Sequence, residues 1–126
     1  MEQTIAGFAR EGGVGVETVR YYQRRGLLPV PRKAAGVRRY GDEDLRKLHF
    51  IRGAQAAGFT LEEIGELLAL DATNDRRRVR ALAATRIAAL DKKITQMQAA
   101  RDRLSRLARQ CASGTRGPCP ILSAFE

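Results

Sequence analysis

Apolar residues recur at three- and four-residue spacing along most of the chain, and prolines and β-branched runs are sparse. This pattern predicts a mainly helical protein with one small β element. Thr4 is placed to cap a first short helix that turns Ile5, Phe8 and Ala9 inward and ends at Gly12-Gly13. A second helix is expected from about Val16 to Arg25, stopped by Gly26. The short joint Gly13-Val14-Gly15 gives the pair the dimensions of a helix-turn-helix. Between Leu27 and Tyr40, Pro29 and Pro31 forbid helix and Gly36 supplies a turn, so two short strands around a basic tip are expected as a wing. Asp42 is the expected cap of a third helix ending near Gly58. Thr60-Leu-Glu-Glu63 is a capping box that opens a fourth helix to about Leu70.

Asp71-Ala72-Thr73-Asn74 then reads as a polar hinge, and from Asp75 to Arg109 neither Gly nor Pro occurs. Unbroken, that is ~50 Å of helix at about 1.5 Å per residue. Ala83, Ile87, Leu90, Ile94, Met97, Leu104 and Ala108 follow a 4-3 spacing, with Arg101 in the one polar slot. A seam of this kind argues for a coiled coil. A head of some 70 residues is too small to cover it, so a homodimer is expected. The resulting organisation is a winged helix-turn-helix head over residues 1–70, a dimerisation helix over 75–109, and a tail over 110–126 holding a glycine-bearing loop and a short helix.

Charge adds a partner class. Lys and Arg number 23 against 14 Asp and Glu, a net charge of +9. An excess of this size attracts polyanions. Residues 1–53 hold 11 basic and 6 acidic groups, and residues 71–110 hold 11 and 4, so charge alone does not locate the nucleic acid. No apolar run reaches the roughly 18 residues that a membrane-spanning helix needs. The N-terminus also lacks the order of a secretory signal, so a cytoplasmic protein without a membrane partner is expected. No nucleophile, acid–base pair or phosphate-cradling glycine motif is present in a catalytic pattern, so no enzymatic activity is expected.

The candidate chemistry falls in two places. Thr18, Arg20, Tyr21 and Tyr22 lie in the N-terminal half of the second helix, and the major groove admits one helix. Arginine pairs with guanine N7 and O6 or clamps a phosphate, and tyrosine hydroxyls donate to phosphates. Arg38, Arg39 and Tyr40 supply the basic wing. In the tail, Cys111 and Cys119 are separated by seven residues, and Gly114 and Gly117 let the intervening loop fold back. Pro120 suits the first position of a short helix over Ile121 to Phe125 with Cys119 as its cap, and the helix start and Arg116 both favour thiolate. Taken alone, such a pair fits a soft-metal site, a free thiol or a transient disulfide.

The run Val16-Glu-Thr-Val-Arg-Tyr-Tyr-Gln-Arg-Arg-Gly-Leu-Leu28, followed by Arg38-Arg-Tyr40 and Gly58-Phe-Thr-Leu-Glu-Glu-Ile64, resembles the MerR family of bacterial regulators over nearly the whole chain. Gly15 departs from the pattern, since relatives often cap the recognition helix with Ser or Asn; the difference amounts to a few tenths of a kcal/mol. The resemblance implies a winged helix-turn-helix head, a long antiparallel coiled-coil dimerisation helix and a C-terminal metal-binding loop. It implies that Arg20 and Tyr21 face double-stranded promoter DNA, that Tyr22 shares in packing, and that Arg52 contacts a phosphate. It makes Cys111 and Cys119 the inducer site and RNA polymerase the further partner, recruited productively when the dimer bends and untwists the promoter.

Within that family, divalent-ion sensors carry an extra Cys at the start of the dimerisation helix. The matching region here reads Asn74-Asp75-Arg76-Arg77. That absence, and the seven-residue gap followed by Cys-Pro-Ile, resemble the copper-efflux type, although that type has a small neutral residue where this chain has Arg. His49, the single histidine, lies in the head, away from the tail. Two thiolates leave a charge of −1 with a monovalent ion and 0 with Hg(II), and Arg76 or Arg77 suits the anionic complex. The expected inducer is therefore Cu(I), Ag(I) or Au(I), with Hg(II) second and a thiol-based redox or electrophile signal third.

Overall fold

A computed structural model of the chain describes residues 2–34, 36–114 and 116–124, with nothing said of the Ala34 side chain. Two units are distinguished, Met1–Arg86 and Ile87–Glu126.

The first unit opens with α1 (Ile5–Glu11), capped by Thr4, whose hydroxyl accepts from the Gly7 N–H. Gly12 closes α1, and Gly13 adopts a left-handed φ of 73°, which redirects the chain into α2 (Val16–Arg24). Strands β1 (Lys33–Ala34) and β2 (Val37–Arg38) form the wing, with Lys33 opposite Arg38 and Ala34 opposite Val37. An isolated bridge then joins Tyr40 to Gln3, with mutual backbone bonds of 2.8 and 2.9 Å, and closes the wing onto the N-terminus.

That bridge shifts the start of α3 (Asp42–Ala56) from the expected arrangement. Gly41, not Asp42, is the cap residue, because the chain leaves the anchored Tyr40 in extended form and turns helical at once. The Asp44 carboxylate accepts the Gly41 N–H at 2.9 Å. α4 (Leu61–Asp71) starts as expected: Thr60 Oγ1 accepts from the Glu63 N–H at 3.1 Å and the Glu63 carboxylate accepts from the Thr60 N–H at 2.8 Å. Hydrogen bonding from the Thr60 N–H, and then from the Thr60 hydroxyl, holds the Glu63 carboxyl below the usual carboxylate range.

Phe8, Val19, Leu48, Ile51 and Ile64 are fully buried and bring α1 to α4 around one core. The Phe8 and Tyr40 rings stack at 4.6 Å, so the base of the wing is part of that core.

After the turn at Asn74, which takes a φ of 59°, α5 (Arg76–Ser113) begins with the Asp75 carboxylate accepting the Arg78 N–H. It runs past the expected end at Arg109, because no residue that breaks a helix occurs before Gly114. Cys111 therefore belongs to the last turn of a helix rather than to a loop. The second unit holds most of this helix and α6 (Pro120–Ala124); the expected end of α6 at Phe125 lies outside the described residues. Ile87, Ile94, Met97 and Leu104 on α5 are exposed. Among the described residues no helix is long and apolar enough to cross a membrane.

Candidate DNA-reading face and thiol site

Arg20 and Tyr21 lie on the outer side of α2, while Val19 and Tyr22 point into the core. Among the described residues, Arg20 pairs with Glu17 one turn earlier, at 2.9 Å and well exposed. An exposed pair of this kind holds its partner weakly, roughly 0–1 kcal/mol, so the guanidinium remains available to a stronger anion. Tyr21 is 38% exposed, and its hydroxyl accepts from Arg25 at 2.9 Å. Arg24 and Arg25 both lie within 6 Å of its ring centre, at 5.9 and 5.8 Å. Arg20, Arg24 and Arg25 thus give α2 three exposed guanidiniums, two of them gathered by one aromatic ring. The sequence reading singled out only the first, although the run Arg-Tyr-Tyr-Gln-Arg-Arg contains the other two. Thr18 is half-buried on the same helix.

Two of the tyrosines named from the sequence are core residues. Tyr22 is 4% exposed, donates to Gln55 Oε1, and burial raises its pKa. Tyr40 is 2% exposed beneath the wing, where its hydroxyl accepts from Gln23 at 2.9 Å. Both rings lie inside the head, where they help to hold α2 and the wing in place. Arg38 and Arg39 are exposed, and Arg38 faces Lys33 across the ladder. Like charges directly opposite destabilise a strand pair, and an anion between them removes the repulsion. Arg52 donates through Nη1 to the Gly12 carbonyl at 2.9 Å, which places it at the turn just before α2.

In the tail, Cys111 Sγ and Cys119 Sγ lie 3.0 Å apart, both thiols free and half-exposed. The shared hydrogen bond, in which either thiol can donate, raises the pKa of Cys111 and lowers that of Cys119. Backbone N–H groups of Leu122 and Ile121, in the first turn of α6, add to the lowering at Cys119. The charge-stabilising groups are thus Cys111 and the helix start, not Arg116 as the sequence suggested. Among the described residues no cluster of three or more His, Cys, Asp or Glu is placed to hold a metal ion. With metal–sulfur bonds of about 2.3 Å, a linear two-coordinate ion needs sulfurs about 4.6 Å apart. Cys119 directly precedes α6, and its thiol with that of Cys111 makes a donor set that fits a soft two-coordinate ion.

Two family models cover this architecture. Residues 3–71 match the MerR HTH family regulatory protein and residues 45–107 match the MerR DNA-binding region. The chain is a member of the MerR family. It is 39% identical over 125 residues to the mercuric resistance operon regulatory protein of Serratia marcescens, covering 98% of this chain and 87% of that one. To the HTH-type transcriptional regulator HmrR of Sinorhizobium medicae it is 40% identical, covering 94% of this chain and 82% of that one. Among solved structures it is similar to PbrR691 of Ralstonia metallidurans CH34 in complex with lead(II), with a TM-score of 0.71, 33% identity, and coverage of 98% and 99% of the two chains. HiNmlR, a MerR family regulator bound to promoter DNA, matches with a TM-score of 0.73 and 26% identity over 89% of each chain. Membership makes the head a MerR-type DNA-binding domain.

Proposed function

We propose that this MerR-family regulator binds promoter DNA as a homodimer and activates transcription when a soft metal ion joins Cys111 to Cys119. The observation that carries the reading is the convergence of these two sulfurs to 3.0 Å at the junction of α5 and α6. The ion of first choice is Cu(I), Ag(I) or Au(I), because two thiolates satisfy linear coordination, whereas structural zinc takes four ligands. Hg(II) is the second reading, favoured by the similarity to mercuric resistance operon regulators. Titration of the protein with Cu(I), Ag(I), Hg(II) and Zn(II), followed by thiolate-to-metal absorbance, tests both. One equivalent of a linear-coordinating ion per cysteine pair is expected, and tighter binding of Zn(II) than of Cu(I) and Hg(II) would defeat the assignment.

The dimer is supported by the exposed apolar seam on α5. A groove of about 430 Å³ in the first unit, whose lining includes Phe50, Phe59, Leu67, Leu68, Val79 and Ala83, adds further uncovered apolar surface. On DNA, Arg20, Tyr21 and the wing arginines grip the two halves of an operator placed between the promoter elements read by RNA polymerase. Metal capture by the cysteine pair biases α5, and the heads deform the DNA at a cost of a few kcal/mol. Such control requires that inducer affinity differ between two conformations of the protein.

Arg20→Ala is expected to lower the slope of log affinity against log salt by about one unit if Arg20 sits on a phosphate, or to relax base preference at one position if it reads a guanine. Gel-shift titrations at several salt concentrations, with operator variants, check this. An unchanged slope together with unchanged base preference removes Arg20 from the interface.

A further inference from the structure

Two glycine turns in the head are each closed by a guanidinium from later in the chain. Arg52 on α3 donates to the Gly12 carbonyl at 2.9 Å, and a Cβ at Gly13 would lie 2.8 Å from the same nitrogen. Arg86 on α5 donates to the Gly58 carbonyl at 2.6 Å, and a Cβ at Gly58 would lie 2.5 Å from that nitrogen. Gly13 and Gly58 both have positive φ, 73° and 91°. In each case the cation lies against a residue without a side chain and bonds the carbonyl end of a helix, where the partial charge is negative. Charge-assisted bonds of this kind are stronger than neutral ones.

The order of these contacts forms a chain. Gly58 lies just beyond the end of α3, Arg52 stands on α3, and Gly12-Gly13 leads into α2 with Arg20 and Tyr21. α3 is thus held by α5 at its C-terminal end and itself holds the entrance of the recognition helix. Its inner side is fixed by Leu48 and Ile51, both fully buried, so it moves as a rigid strut. The Arg78–Glu66 pair fastens α5 to α4 instead, at an exposed surface where ion pairs contribute little. α5 is the helix whose last turn carries Cys111.

We propose that Arg86 is a positioning residue: its bond to Gly58 is the contact through which a change in α5 reaches α3, then Arg52, and then the recognition helix. The magnitude suits a switch. Helices in switching proteins shift by roughly 1–2 Å, and a shift of that size takes Arg86 Nη1 from 2.6 Å to the edge of hydrogen-bond range or beyond it. The inference rests on the metal-responsive reading for its physiological trigger, but the coupling itself can be measured without metal.

The test compares wild type with Arg86→Met, which keeps an apolar stem and removes the donor, and Arg86→Lys, which keeps one donor and the charge. Operator DNA is selected by the wild-type protein from a random duplex library. The first readout is the factor by which Cu(I) or Hg(II) changes promoter output, of the order of 5–150 for coupled sites. That factor is expected to fall to near one in Arg86→Met and to an intermediate value in Arg86→Lys. Operator affinity without metal and metal affinity without DNA stay close to wild type.

The second readout is the alkylation rate of Cys111 and Cys119 with and without operator, which reports whether DNA binding shifts the conformation of the cysteine pair. Operator is expected to change that rate in wild type and not in Arg86→Met. A metal factor in Arg86→Met equal to wild type overturns the proposal, as does an operator effect on alkylation that is equal in both proteins or absent from both. If wild type ignores the metals yet shows an operator effect that Arg86→Met loses, the relay stands and the metal reading falls. Circular dichroism and thermal melting confirm folding; should Arg86→Met melt early, Arg86→Lys must still show the reduced factor.

Discussion

Cys119→Ser abolishes the metal response while leaving operator binding intact. That is the expected result of removing one of two ligands from a site with no third donor among the described residues. Changes to mere supporting groups around a metal typically cost 10–100-fold in affinity, so loss of a ligand in a two-ligand site should exceed about 100-fold. Cys111→Ser should do the same, but the two variants differ in their apo chemistry. The pKa of Cys119 is lowered and that of Cys111 raised.

Iodoacetamide should therefore modify Cys119 before Cys111 in wild type. Binding displaces the thiol protons, so apparent metal affinity falls as pH falls, and the raised pKa of Cys111 makes its proton the harder of the two to displace. Competition titrations over a pH series, with peptide mapping of the alkylated protein, measure both effects. A Cys119→Ser protein that still activates on metal addition would overturn the site.

Phe8→Ala should be the most damaging single change to the head. Phe8 is fully buried and stacked on Tyr40, and a Phe-to-Ala cavity costs about 3–5 kcal/mol. Small domains have only about 5–15 kcal/mol of total stability, so DNA binding should be lost near physiological temperature through unfolding rather than through loss of a contact. The discriminating partner is Tyr40→Phe, which keeps the stack and removes only the hydroxyl bonded to Gln23. It should retain operator affinity, because Tyr40 is core. Thermal melts with gel shifts below the melting point separate the two effects. A Tyr40→Phe protein that melts normally but binds DNA poorly would return Tyr40 to the interface.

These side chains also mark what the sequence could convey. Local signals were legible: the Thr60–Glu63 capping box, the left-handed glycines at the helix ends and the prolines before the wing each act within a few residues. The facing of Tyr22 and Tyr40 was not, because an amphipathic ring suits both core and surface, and only the packing of distant elements decides between them. Gly41 displaced Asp42 as the cap of α3 for a similar reason: the Gln3–Tyr40 bridge, closed over a long stretch of sequence, sets where the strand lets go. The extension of α5 through Cys111 was hidden by the assumption that a ligand-bearing cysteine sits in a loop. Arg86 gave no local sign at all, since its partner Gly58 is 28 residues away.

The like-charged rung of the wing has a last consequence. Lys33 and Arg38 oppose each other in a ladder only two residues long on each strand, next to the further cation Arg39. An anion bound across Lys33 and Arg38 offsets their repulsion, so phosphate should stabilise this rung. Small multivalent anions at millimolar levels should then quiet the amide exchange of this finger in the absence of any duplex, and compete with DNA for it.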